Sequence, residues 1–262
     1  MCGTPTRRTL RDALEEASAA QVADRVRLSV IAIPPDDPHA TVRALRRLTP
    51  ARFDGVAIMA PETPQVRDAV ASLENAGVAV VALVSDLPNA PRRLFIGINN
   101  MAAGRTAASL LGRFVRGPGE ILVSTGSLRQ RDSLERRLGF DAVMAADFPS
   151  LTILPTVELH DDARRTDAVI GAALRARSNL VGLYSMGSGN TPLLNALRRR
   201  GGLDQLVVIA HELTPTTRAA LMQNEIAALI AQNVGHLVRS ALRVLRDLCD
   251  DRPIFAPQER IR

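Results

Sequence analysis

The chain has 262 residues, 46% of them apolar and 23% charged, with a mean hydropathy of +0.04. No charge block or low-complexity tract interrupts this balance, which excludes intrinsic disorder and is enough for one large domain or two interleaved smaller ones. All 33 basic residues are arginines, set against 27 acidic residues for a net charge of +6. The arginines are scattered among acids and aromatics make up 3% with no Trp, so nucleic-acid binding by the chain itself is not expected.

Taken in chain order, the first predicted element is a helix from about Arg7 to Ala23, with no apolar leader before it. The first convincing strand is VRLSVIAI, Val26 to Ile33, followed by a helix from His39 to Leu48 and a strand from Gly55 to Ala60. A helix from Gln65 to Asn75, strands at Val78 to Val84 and Leu94 to Ile98, and a helix from Met101 to Val115 come next. Then strands at Glu120 to Ser124, Leu151 to Val157, Leu180 to Tyr184, Leu206 to Ala210 and Ile226 to Ala231 alternate with helices. Those helices run from Arg129 to Ala145, Ala163 to Arg177, Pro192 to Arg199, Pro215 to Gln223 and Gly235 to Leu248.

Most of these strands are continuous apolar runs, the pattern of parallel strands covered on both faces. Thr214 before Pro215 fits a helix N-cap with proline at the first position, and Gly77 and Gly201 fit C-terminal stops. The alternation predicts an α/β protein of two doubly wound parallel-sheet lobes; a (β/α)8 barrel is the competitor that periodicity leaves open. One irregularity stands out, because a doubly wound lobe opens on a strand and this chain opens on a helix.

Cys2 and Cys249 match no metal or redox spacing and read as free thiols of a reducing compartment. No apolar stretch is long enough to span a bilayer, and the expectation is a cytoplasmic protein with no membrane partner. Neither GSGNTP at Gly187 nor GPGEIL at Gly117 is a dinucleotide fingerprint, and no nucleophile elbow, phosphate loop or HExxH occurs. His39, His160, His211 and His236 are dispersed, so no metal, no cofactor and no enzymatic activity are expected.

Four stretches together resemble the effector-binding region of the lactose-repressor family of transcription regulators, which shares its fold with periplasmic sugar-binding proteins. They are FDGVAIMAPETPQVRDAVASLENAGVAVVALVSDLP (Phe53 to Pro88), IGINNMAAGRTAASLLGRF (Ile96 to Phe114), RDSLERRLGF (Arg131 to Phe140) and LVVIAHELTPTTRAALMQNEIAALIAQNVGHLVRSALRVL (Leu206 to Leu245). The resemblance implies a class I periplasmic-binding-protein-like fold whose first N-terminal-lobe strand is missing here. It divides the chain into an N-terminal lobe at residues 1–98, a C-terminal lobe at 99–232, a return to the N-terminal lobe at 233–250 and a final crossover to the C-terminal lobe at 251–262. The crossovers fall near Asn99, Gln232 and Arg252, with Asn99 where the family usually carries an aspartate. The chain as written opens without the family's helix-turn-helix and hinge helix.

The resemblance also implies a ligand set, since a polyol must have its hydroxyls satisfied and open α/β sheets bind at the carboxyl ends of their strands. Arg136 matches the family's ligand arginine, the alternative being a solvated helix arginine. Asn190 matches a ligand amide, or else caps a helix. His211 stands where relatives carry a sugar-binding aspartate, or is a structural hydrogen-bonder. Gln232 binds ligand, or fixes the crossover through the backbone. Ser85 and Asp86 stand where relatives show an aspartate–arginine pair, from which this sequence departs. The function implied is an effector-binding domain that senses a sugar-like metabolite, forms a homodimer and reaches DNA through a module outside this chain. The alternative is a sugar solute-binding protein or sensor without DNA function.

Overall fold

The computed structural model describes residues 12–16, 26–34, 37–254 and 260–261. Cys2 and most of the helix expected from Arg7 to Ala23 lie outside the described residues; residues 12–16 are helical (α1). The chain divides into two compact units, an N-terminal one of residues 10–99, 129–132 and 233–262, and a C-terminal one built from residues 100–128 and 133–232. Two separate parallel sheets, one per unit, exclude the barrel.

The N-terminal sheet runs β1 (Gly55–Ile58), β2 (Ala79–Leu83), β3 (Leu94–Ile98) and β10 (Arg260–Ile261), in that order and all parallel. Helices α2 (Pro38–Leu45) and α3 (Pro64–Asn75) cover one face, and α9 (Val234–Cys249) covers the other. Alternate residues of β2 feed the two layers. Val80 and Ala82 pack with Val66, Val70 and Leu73 of α3, whereas Val81 and Leu83 pack with Leu237, Ala241 and Val244 of α9. This double coverage is why the strand is apolar at every position.

The C-terminal unit contains α4 (Asn100–Phe114), β4 (Gly119–Thr125), most of α5 (Arg131–Asp147), β5 (Leu151–Ile153), β6 (Val157–Glu158) and α6 (Ala163–Ala176). It continues through β7 (Leu180–Ser185), α7 (Asn190–Arg200), β8 (Val207–His211), α8 (Pro215–Met222) and β9 (Ala228–Ile230). Its strand order is β5-β4-β7-β8-β9, with β6 also on β4. The chain therefore leaves β4 in one direction and returns to its other side at β7, and that reversal marks a crevice at the carboxyl ends of the two strands.

Local signals explain most boundaries. Thr214 accepts from the Thr217 amide in a capping box ahead of Pro215, and Gly201 ends α7 at φ 67°. Gly77, at φ 89°, follows the end of α3. Asp162 caps α6, and Asp167 on the same helix joins Arg199 and Arg200 of α7 at 2.8 and 2.6 Å, which lowers its carboxyl to about 2.

Three expectations are corrected. The stretch Val26 to Ile33 forms no strand among the described residues, and its Val30 and Ile31 are 58% and 51% exposed. The single strand expected from Leu151 to Val157 is two short ones, since Pro155 lies between them and has no N–H to give. The last described residues pair with Gly97 and Ile98 of β3 in the N-terminal sheet, where a crossover to the C-terminal lobe was expected. An open parallel edge has unpaired backbone groups that such a segment satisfies.

Helices α4 and α5 touch backbone to backbone. A Cβ on Gly104 would stand 2.0 Å from the Arg136 carbonyl oxygen, and one on Gly139 would stand 2.1 Å from that of Met101. Gly104→Val should therefore force the helices apart and destabilise the protein by about 1–3 kcal/mol. Urea unfolding would read this as a lower midpoint at unchanged slope.

Candidate functional site

Polar residues gather at the carboxyl ends of the C-terminal strands, beside the crevice between β4 and β7. Ser124 lies next to Ser185 across the pair, and Thr125 shares a 2.9 Å hydrogen bond with Ser133 of α5. Arg136, three residues further along α5, is 1% exposed, so it is not a solvated helix arginine. Its Nε donates to Asn100 Oδ1 at 2.9 Å and its Nη1 to the Met186 carbonyl at 2.6 Å. Arg137 beside it is partly buried and bonds Asp141 at 2.7 Å, the Leu154 carbonyl at 3.2 Å and Thr156.

A second network starts from the loop that Arg136 holds. Asn190 Nδ2 donates to the carbonyls of Gly187 (3.1 Å) and His211 (2.7 Å), while its Oδ1 accepts from Ser185 Oγ (2.8 Å). The capping reading is corrected: Gly189, at φ 88°, occupies the N-cap of α7, and the Asn190 side chain is committed to strand ends. His211 is buried behind this network, its Nε2 2.8 Å from Tyr184 Oη, and Phe140 stacks on Tyr184 at 4.6 Å. Burial, with the Arg136 charge as the second cause, holds the His211 imidazole well below its usual pKa and hence neutral.

Arg136, Asn190 and His211 are thus drawn into one connected arrangement through residues 186–190. Gln232 ends the neighbouring strand region two residues past β9 and makes no hydrogen bond to them. Three buried polar atoms here lack a protein partner: Asn100 Nδ2, Ser124 Oγ and Gln232 Oε1. Native proteins pair nearly all such atoms, so unpaired ones mark places for water or ligand. Asn100 and Ser124 were not singled out from sequence; the usable signal was that each lies at a strand-to-helix junction or strand end, the station where open sheets bind.

Ser85 and Asp86 belong to the other unit, at the carboxyl end of β2. Ser85 Oγ accepts from the amides of Arg131 and Asp132 at 3.1 and 3.4 Å. Asp86 forms an ion pair with Arg92, at 2.5 and 2.8 Å, and also accepts from the Leu87 amide. The partner lies six residues on, where local sequence gives no hint of it. Val84 just before them, and Glu212 just after β8, both take left-handed backbone at φ 65° and 72°, a strain that non-glycine residues hold only where neighbours fix them.

At the opposite, amino-terminal end of the N-terminal sheet lies an open cavity of about 530 Å³ lined by Asp54, Ala79, Arg93, Leu248, Cys249 and Arg252. Burial, then Asp54 and Asp250, push the Cys249 thiol upward, so it is protonated near neutrality.

The neutral His211 carries a consequence for acid stability. Its folded pKa lies below its unfolded one, so below about pH 6.5 the unfolded chain binds a proton that the folded one does not. The stability it contributes is present above pH 6.5 and falls by up to about 1.4 kcal/mol per unit as pH drops below that value, until the folded pKa is reached. Urea midpoints from pH 7.5 to 5 should show this slope in the parent and lose it in His211→Asn; equal slopes would contradict it.

Comparisons with known proteins bear on this geometry. The profile of a family described as periplasmic binding protein domain matches residues 3–253. No curated protein matches the sequence. Among solved structures, an ABC transporter solute-binding protein from Burkholderia graminis C4D1M in complex with D-arabinose is similar at 24% identity and TM-score 0.87, covering 94% of this chain and 87% of that one. The periplasmic component of an ABC-type sugar transport system from Hahella chejuensis is similar at 22% identity and TM-score 0.85, covering 94% and 90%. A solute-binding protein from Agrobacterium vitis with bound D-fucose is similar at 16% identity and TM-score 0.85, covering 94% and 87%.

Proposed function

Because the chain belongs to the periplasmic binding protein domain family, we propose that it is a sugar-binding protein of the solute-binding type, with its ligand held at the carboxyl ends of the C-terminal strands. The observation that carries this reading is the set of unpaired buried atoms there. Asn100 Nδ2 is a donor, Gln232 Oε1 an acceptor and Ser124 Oγ either. A sugar hydroxyl donates and accepts at once, so neighbouring hydroxyls satisfy such a mixed set where a simple anion or cation would not. In this reading Asn100, Ser124 and Gln232 touch the ligand. Arg136, Asn190 and His211 hold the strand ends that position them, and Ser85 and Asp86 shape the corresponding strand end of the N-terminal unit.

All three similar solved structures are described as components of ABC transport systems, two of them with a bound sugar, which favours this function over the effector domain of a lactose-repressor-type regulator. Cell fractionation separates the two: a solute-binding role requires the protein outside the cytoplasmic membrane, and a regulator requires it in the cytoplasm bound at a promoter.

Thermal denaturation with a panel of pentoses, hexoses and sugar acids tests ligand class. A true ligand at about a hundred times its Kd adds about 2.7 kcal/mol, a rise in Tm of roughly 5–10 °C for a chain of this size. No shift with any sugar would overturn the reading. Gln232→Leu should weaken that ligand about tenfold by calorimetry, with the Tm of the unliganded protein unchanged, because it removes one half-buried acceptor.

A further inference from the structure

Strand β1 has an open outer edge. It pairs with β2 and with no other strand among the described residues. The Asp54 carbonyl accepts from the Ala79 amide, so backbone groups of residues 54, 56 and 58 face β2 and those of Gly55 and Ala57 face outward. Side chains of Val56 and Ile58 join the layer of α2 and α3, whereas a Cβ on Gly55 would meet Leu245 of α9, which puts Ala57 on the α9 side.

Both helical layers are laid out for one more strand. A strand–helix–strand unit crosses right-handed, so successive units that advance in one direction place their helices side by side on one face. Helix α3 is the crossover from β1 to β2, and α2 packs beside it through Val42 and Leu45 in the same core. That is the seat of the crossover helix for a strand lying outside β1, and the residues preceding α2 are the apolar run Val26 to Ile33. On the opposite face, Val238 and Leu242 of α9 are covered by Ala13, Leu14 and Leu28, which tethers this run close to α9.

We propose that residues 26–33 form a strap that closes on the outer edge of β1 as a fifth parallel strand. Its periodicity suits the place: Val26, Leu28, Val30 and Ala32 form an apolar face, and the Leu28 contact assigns that face to α9. Ile31 and Ile33 then turn toward α2. Closure buries Val30 and Ile31, pairs the outward backbone groups of Gly55 and Ala57, and removes an edge that would otherwise invite pairing between molecules. The occupant is the chain's own segment, because α2 and its following turn already connect the two at the required hand.

Cysteine pairing in the full chain tests this. Neighbouring strands lie about 4.8 Å apart, within disulfide reach for side chains on one face. In a Cys2→Ser, Cys249→Ser background, Ala57→Cys is combined in turn with Leu28→Cys, Val30→Cys and Ala32→Cys, and with Ser29→Cys and Ile31→Cys as the opposite face. The strap predicts an intramolecular disulfide in the first series, at least roughly tenfold more than in the second. Equal yields in both series, none in either, or cross-linked dimers would overturn it. Hydrogen exchange on the unaltered protein gives an independent reading: the Ala57 amide exchanges slowly if the strap closes, and at the free-chain rate if it does not.

Discussion

A guanidinium taken almost wholly out of water has to be satisfied by the fold, and in the C-terminal unit that requirement organises everything near it. Removing such a cation from solvent costs several kcal/mol unless its donors are met. Arg136 meets them with the Asn100 side chain at the start of α4 and the Met186 carbonyl just past β7. Fixing Met186 fixes the loop that follows, and Asn190 then ties that loop to Gly187 and to the end of β8. The helix bearing Arg136 is close enough to do this because Gly104 leaves room for the Arg136 carbonyl. A tight helix contact, a buried charge and a row of strand ends form one mechanical chain.

That dependence decides what could be read from the sequence. The alternation of elements, the N-cap at Thr214 and the stop at Gly201 are local, set by residues within one turn of each other, and the structure reproduces them. Arg136 and His211 were legible only through the resemblance to a family, and whether they touch ligand or brace the site depends on partners far along the chain. The Asp86–Arg92 pair and the strand-end role of Asn190 were not legible, since a side chain's choice between a cap, an ion pair and a carbonyl depends on tertiary neighbours. The run Val26 to Ile33 shows the reverse case. Its composition states that it suits a buried strand, and composition has no means of stating whether a neighbour is there to receive it.

The resemblance to regulators and the similarity to transport proteins draw on the same residues, because the shared part is the scaffold: parallel strands, crossover helices and a polar fringe at the strand ends. What separates a sensor that acts on DNA from a carrier that delivers solute lies outside that scaffold. The unpaired atoms of that fringe, Asn100 Nδ2, Ser124 Oγ and Gln232 Oε1, belong to the scaffold, so the ligand role proposed for them holds equally in either setting.

Cys249 sits at the amino-terminal end of the N-terminal sheet, across the full length of the strands from Ser85 and Asp86. A fluorophore attached there would report on the sheet without standing at the strand ends where ligand is proposed. Since its thiol is held protonated by burial and by Asp54 and Asp250, coupling to it should be run on the alkaline side. With no lysine in the chain, amine chemistry has no side chain to attack, so in a Cys2→Ser background a thiol reagent addresses this one side chain without competition from amines.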